Sequence, residues 1–182
     1  MKLSSHFRRF PVIKIDTLVL RKLSQHDAND LFLYYSHPDV YRFLDWNGPK
    51  DIKDAKRIIK IWNKNYKLGR IMRLGIEDIQ TKKLIGTIFL SDFDGYRADI
   101  GYELDKNYWN KGIMNKVIYE IKRIGFEILK LRRIQATVDE NNIMSIKVLE
   151  KNGFKYEGKL KNYETNHVSK TVKDMLMYAI VK

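Results

Sequence analysis

The stretch Tyr108-Trp109-Asn110-Lys111-Gly112-Ile113-Met114-Asn115 constrains this chain more than any other. It joins a strand-like run, Ala98 to Leu104, to a periodic apolar pattern from Ile113 to Leu129 that predicts a helix. The first turn of a helix leaves backbone N–H groups without intrahelical partners, at the positive end of the helix dipole. An anion is favoured there by about 0.3–1 kcal/mol before any side chain contributes. Gly112 lacks a Cβ, so a pyrophosphate can lie directly on backbone, and Lys111 adds a formal charge beside it. A plain N-terminal cap is the competing reading of these residues.

A second segment lies about thirty residues downstream: Val138 to Phe154, reading VDENNIMSIKVLEKNGF. It predicts a strand end, a turn, a short helix stopped by Gly153, and a new strand opening at Phe154. In this order of elements the chain resembles the GNAT superfamily of acetyl-CoA-dependent N-acetyltransferases. More narrowly it is similar to the ribosomal-protein N-terminal acetyltransferase branch (RimJ/RimL-like). The first family signature, Gln/Arg-x-x-Gly-x-Gly/Ala, falls on Trp109 to Met114, where Trp109 and Met114 depart from the general pattern as is usual in the branch. The second, Asn-x-x-Ser followed by Val-Leu-Glu-Lys-x-Gly-Phe, matches Asn142 to Phe154 closely. With Leu18 to Leu23, KLIGTI (Lys83 to Ile88) and ADIGYEL (Ala98 to Leu104), the resemblance runs from about Asp16 to the C-terminus.

The resemblance implies an α/β fold: a mixed, mostly antiparallel sheet of six to seven strands, helices on both faces, and two splayed central strands. Those strands would be Ala98 to Leu104 and Arg133 to Val138, with the pantetheine arm of acetyl-CoA between them. It further implies that Trp109, Asn110, Lys111, Gly112, Ile113, Met114 and Asn115 hold the cofactor's phosphates. Backbone groups of Tyr102 and Leu104 would bond pantetheine and polarise the acetyl carbonyl; Asn142 would bond the same arm, and Lys147 would reach a phosphate. Ser145 is the candidate acid for the leaving thiolate, against the alternative that it only caps its helix. Many relatives carry a tyrosine acid four residues further on, where this chain has Leu149. Some relatives place a glutamate where this chain has Thr137, which leaves Glu103 as the candidate base, with Asp99 behind it. Tyr41, Phe43 and Trp46 are candidates for the acceptor groove or, equally, for the core.

The acceptor implied is an amine, most directly a protein N-terminus near the ribosome. A small amine such as a polyamine, antibiotic or metabolite is the alternative within the class. From another class, the chain is read as a non-catalytic RNA- or ribosome-binding module, against which the near-complete Asn-x-x-Ser signature argues. The length of 182 residues and 44% hydrophobic content predict a single domain, residues 1–182, with residues 1–14 a loosely attached N-terminal segment. No apolar run approaches the ~18–20 residues that span a bilayer, and the basic N-terminus lacks an apolar signal region, so a cytoplasmic protein without a membrane partner is expected. The absence of cysteine excludes disulfides, thiolate metal sites and a cysteine nucleophile. His6, His26, His37 and His167 show no metal-ligand spacing, so no metal is expected. The formal net charge of +13 suits an acidic partner, but lysines outnumber arginines 24 to 11 and are widely spread, which also fits a merely solvated surface. A monomer and a homodimer are both compatible with the sequence.

Overall fold

The strand-like runs need apolar cover on two sides, and the amphipathic helical runs supply it. The computed structural model describes residues 10–166 and 170–182, so His6 and His167 lie outside the described residues. The strands are β1 (Ile13–Ile15), β2 (Leu18–Arg21), β3 (Met72–Asp78), β4 (Lys83–Ser91), β5 (Arg97–Leu104), β6 (Arg133–Val138), β7 (Lys155–Thr165) and β8 (Val172–Val181). The helices are α1 (Ala28–Tyr35), α2 (Pro38–Tyr41), α3 (Ile52–Lys67), α4 (Ile113–Arg123) and α5 (Ile143–Lys151). One eight-stranded sheet runs in the order β1-β2-β3-β4-β5-β6-β8-β7. It exceeds the expected six to seven strands because β1 and β2 are two short strands of one hairpin. The chain turns back at Asp16 and Thr17, so that Ile15 pairs with Leu18 in a hairpin. Asp16 takes a left-handed φ of 50° there, a conformation Asp tolerates better than most residues. Phe10 stacks on Tyr66 with ring centroids 3.5 Å apart, which fastens the start of the described chain to α3.

All neighbouring strands are antiparallel except β5 and β6, which are parallel and joined by the α4 crossover. On one face, α1 and α3 bury Leu31, Tyr35, Ala55 and Ile59 against Leu84. On the other, α4 packs Val117, Ile118 and Ile121 with Ile88, Ala98, Ile100 and Ile134. The helical pattern expected through Leu129 is continuous but changes winding. Residues Ile124–Ile128 form a wide turn in which the Leu129 N–H reaches the Ile124 carbonyl at 2.9 Å. Gly125 lies in that turn, and a Cβ on it would come 2.7 Å from Ile134 Cδ1, so the helix end rests directly on β6.

The entry to α1 is set by a capping box. Ser24 accepts from the His26 N–H, and its own N–H donates to Asp27 Oδ2 at 2.6 Å. The Asp27 carboxylate also receives two bonds from Arg21, at 2.8 and 2.7 Å, while Arg21 Nε is bonded to Glu77. Burial works to raise the Asp27 pKa; the Arg21 guanidinium and the Ser24 N–H overcome it and hold the carboxyl below its ordinary value. A carboxyl depressed in the folded state stabilises above the ordinary carboxylate pKa, and that contribution is lost as pH falls through the folded value. Asp27→Asn should therefore cost about 1–3 kcal/mol near neutral pH. In urea titrations its deficit from wild type should shrink as pH falls from about 5 to about 3. A deficit independent of pH would show that the charge on Asp27 contributes nothing.

Candidate active site

Strands β5 and β6 share rungs only at Arg97/Arg133, Ala98/Ile134 and Asp99/Gln135. Beyond these, β5 stays bonded to β4 as far as Leu104, and β6 stays bonded to β8 as far as Val138. The two strands part, and their facing edges carry backbone donors and acceptors that the sheet does not use. A cleft of about 700 Å³ opens at this parting and extends along the start of α4 and one side of α5.

The loop leading to α4 contains two left-handed residues, Asn110 (φ 59°) and Gly112 (φ 71°), on either side of Lys111. Gly112 is the N-cap and has no side chain to close the helix, so the N–H groups of Ile113, Met114 and Asn115 have no partner among the described residues. A Cβ at Gly112 would meet nothing within 4 Å, so the space over this turn is open. These are the conditions for holding an anion on backbone. Asn110, Gly112, Ile113, Met114 and Asn115 all line the cleft. Asn115 also accepts a bond from the Asn152 amide at 3.0 Å. Trp109 forms wall rather than donor, because its indole N–H is spent on the Leu104 carbonyl at 2.8 Å. Lys111 is not part of the lining; its ammonium lies 5.0 Å over the Tyr108 ring. Lys147 and Lys151 of α5 do line it.

Asn142 and Ser145 both border the cleft, in roles the spacing alone left open. Asn142 is the helix cap: its Oδ1 accepts the Ser145 N–H at 3.1 Å, leaving the amide NH₂ unused among the described residues. Ser145 therefore caps nothing with its side chain. Its hydroxyl stands 2.8 Å from the Tyr102 phenol, which also lines the cleft. Burial pushes the Tyr102 phenol up to about 12, with the Ser145 hydrogen bond pulling the other way. Tyr102 was singled out from the sequence for its backbone; its side chain is the larger contribution.

Glu103 follows Tyr102 and faces the opposite side of the sheet. Its Oε1 accepts from Tyr35 at 2.8 Å, Thr87 at 2.7 Å and Arg73 at 2.6 Å. No described residue donates to its Oε2, and the residue lines the cleft while being only 7% exposed. The Arg73 guanidinium is clamped between Trp62 and Phe89, at 4.2 and 4.0 Å from the ring centroids. Of the remaining sequence candidates Phe43 lines the cleft, whereas Asp99, Trp46 and Tyr41 do not. Asp99 sits on the last paired rung and accepts from Gln135 at 2.9 Å, burial raising its pKa. Trp46 packs on Tyr35 and Trp62, and Tyr41 packs against the α1–α3 cluster. With Phe43, the α2 side of the cleft is walled by Asp39, Val40, Arg42 and Leu44. The aromatic run beginning at Tyr41 pointed to this segment, but which of its side chains face inward depends on the turn geometry. Arg73 carried no sequence signal, since its meeting with Glu103 depends on the β3–β4–β5 register. Among the described residues no group of three or more His, Cys, Asp or Glu is placed to hold a metal ion.

A parallel pair that splays beside an uncapped helix start gathers free backbone donors where an anionic, amide-bearing ligand can lie. Residues 17–155 match the family described as acetyltransferase (GNAT) domain. The chain is 35% identical over 175 residues to the uncharacterized N-acetyltransferase YoaA of Bacillus subtilis (strain 168), covering 95% of this chain and 98% of that one. A solved acetyltransferase (GNAT family) from Bacillus anthracis is 28% identical, with a TM-score of 0.79 over 94% of this chain and 98% of its own. RimL, a ribosomal L7/L12 alpha-N-protein acetyltransferase solved with coenzyme A, shares the fold at a TM-score of 0.81 and 20% identity, over 94% of this chain and 98% of its own. The chain belongs to the GNAT family and is an acetyl-CoA-dependent N-acetyltransferase.

Two substitutions separate the parts of the site. Gly112→Val forces a branched residue into a left-handed turn, so acetyl-CoA affinity by calorimetry should fall at least about tenfold, or ~1.4 kcal/mol; Gly112→Asn, which accepts that conformation, should lose less. Equal affinities for all three proteins would remove the backbone-anion reading. Ser145→Ala should lower kcat about 10- to 100-fold with little change in the KM for acetyl-CoA. Because Asn142 supplies the cap, its melting curve should be within about 0.5 kcal/mol of wild type. An intact kcat would leave Ser145 without a chemical role.

Proposed function

We propose that this N-acetyltransferase modifies a protein N-terminal α-amine, of the ribosomal-protein type. The supporting observation is the state of the cleft's proton acceptors. Its lining includes two carboxylates and no histidine. Both carboxylates are already held by cations: Asp39 by Lys106 at 2.6 Å and Glu103 by Arg73 at 2.6 Å. Such a site suits an amine that gives up its proton easily. Releasing a proton near pH 7 costs an α-amine of pKa ~7.7–8.0 only about 1 kcal/mol, whereas a lysine near 10.4 costs about 4.6 kcal/mol. The net charge of +13 further disfavours a free polycation such as a polyamine. The fold shared with the L7/L12 acetyltransferase agrees with this reading.

The free donors of the cleft fit the cofactor. Acetyl-CoA, when bound, supplies an acetyl thioester. The N–H groups of Ile113 to Asn115 and the Asn110–Gly112 turn would hold its phosphates, with Lys147 and Lys151 contributing charge. The unpaired edges of β5 and β6 and the Asn142 amide would bond its amides. Ser145 holds an exchangeable proton on the cleft wall, and the Tyr102 phenol behind it fixes the hydroxyl's position. Glu103, with Oε1 occupied, offers Oε2 to the acceptor's proton, directly or through water.

Two peptides test the acceptor: one with a free α-amine and no lysine, the other N-terminally blocked with a single lysine. At pH near 7 the first should have a kcat/KM at least about tenfold higher, and the gap should narrow toward pH 10 as lysine loses its proton. Faster reaction of the lysine peptide, or of a small polyamine, at neutral pH would sink the α-amine assignment.

A further inference from the structure

We infer that Arg42 reads an anionic group on the acceptor, so that preferred substrates are N-termini with an acidic residue at the second or third position. This rests on the α-amine reading above. Arg42 follows α2 and lines the cleft on the side that also carries Asp39 and Phe43. That side belongs to the sheet face on which Glu103 meets Tyr35 of α1, away from the Tyr102–Ser145 contact on α5.

The charges there do not balance. Asp39 is the carboxylate nearest the α2 wall, and Lys106 holds it at 2.6 Å, with His37 3.7 Å away. The Lys106 hydrogen bond holds the Asp39 carboxyl below its ordinary pKa. Glu103 is neutralised in the same way by Arg73. Arg42 has no carboxylate partner among the described residues; its guanidinium carbon lies 5.3 Å over the Phe43 ring. Asp39 also feels the Arg42 charge, but Lys106 is its bonded partner, so Arg42 leaves this wall with positive charge in excess of its two acids. Lys147 and Lys151 are the other cationic side chains of the lining, and they sit on α5, beside the anion-binding turn of α4 rather than beside α2.

A guanidinium in excess favours an acceptor that brings a carboxylate and repels one that brings a cation. Arginine presents a planar fork that matches a carboxylate in a bidentate pair. The reacting amine must be neutral, so it gains nothing from an anionic pocket and loses nothing to Arg42. The discriminating charge therefore belongs to the residues behind the amine, about 3.3–3.6 Å further along an extended chain for each position. At the rim of a cleft such a pair is solvent-screened, so it should act on KM and on salt dependence more than on the chemical step.

Three hexapeptides with the same first residue test this, carrying Asp-Glu, Asn-Gln or Lys-Lys at positions two and three, with wild type, Arg42→Ala and Arg42→Glu. In low salt wild type should prefer the acidic to the neutral peptide by about three- to tenfold in kcat/KM, mainly through KM. Arg42→Ala should bring that ratio to within about twofold, and Arg42→Glu should favour the Lys-Lys peptide. About 0.5 M salt should flatten the wild-type ratio, which a merely structural role for Arg42 would not produce. An acidic-to-neutral ratio that is the same in wild type and both variants overturns the inference, as does a wild-type ratio near one. The same pairs of flanking residues are placed around a single lysine in N-terminally blocked peptides. Reaction confined to these sinks the α-amine reading alone, and their Arg42-dependent ratio then decides the present inference. No turnover of any peptide would overturn both.

Discussion

Where β5 and β6 stop pairing, the sheet gives up backbone hydrogen bonds, and the functional parts of the molecule are arranged around that loss. A parallel pair requires a crossover, and here the crossover helix α4 begins just past the end of β5. Its uncapped first turn is thus delivered to the mouth of the gap, in the general position where open α/β sheets bind ligands. Because side chains alternate along a strand, one step on β5 serves both walls. Tyr102 turns to α5 and meets Ser145, while Glu103 turns to α1 and meets Tyr35. A slip of one residue in the β4–β5 register would exchange these partners and put a carboxylate into the apolar cluster beneath α4.

Keeping Glu103 in place is costly, since a nearly buried carboxylate is tolerated only when paired and hydrogen-bonded. Arg73 supplies the charge, and Tyr35 and Thr87 complete the donors on Oε1. Arg73 is itself immobilised between Trp62 and Phe89, an arrangement that lends cation–π stabilisation as well as rigidity. The Phe89 ring can lie there only because its cross-strand partner is Gly101; a Cβ at that position would stand 2.2 Å from Phe89 Cζ. Burial first, and then the charge of Glu103, raise the Tyr35 phenol well above its ordinary value, so it remains a donor to the carboxylate. The chain from Gly101 through Phe89 and Arg73 to Glu103 is a packing requirement with an electrostatic result.

Period and punctuation made most of the fold legible. β6 spans the run implied for the second splayed strand, and α5 ends ahead of Gly153 as the punctuation predicts. The β1–β2 turn at Asp16 and Thr17 contains no glycine or proline to announce it, and only the left-handed φ at Asp16 reveals it. The residues gathered at the cleft from α4, α5 and β5 were readable because local motifs place them on single elements. Tertiary choices were less so. Asp99 and Glu103 occupy the same face of β5 by period two, yet Asp99 lies where the strands are still paired and Glu103 lies beyond. Trp46 and Arg42 are near in sequence, but Trp46 joins the aromatic core and Arg42 borders the cleft. Composition cannot separate these outcomes, because each depends on where another element packs.

Leu149 has no hydroxyl to offer the cleft, and it is only 1% exposed within the α4-side core. A phenol is nevertheless present: Tyr102 reaches Ser145 from the neighbouring strand. The phenol can also donate to the Ser145 carbonyl, 3.4 Å away, and the two arrangements of the hydroxyl pair itself differ in chemistry. If Ser145 donates to the phenol, its proton is directed away from the cleft. If the phenol donates to Ser145 Oγ, the serine proton remains available on the cleft side. Burial that pushes Tyr102 up to about 12 keeps the phenol protonated across the physiological range, so it always has a proton to donate. The second arrangement is then open at every working pH.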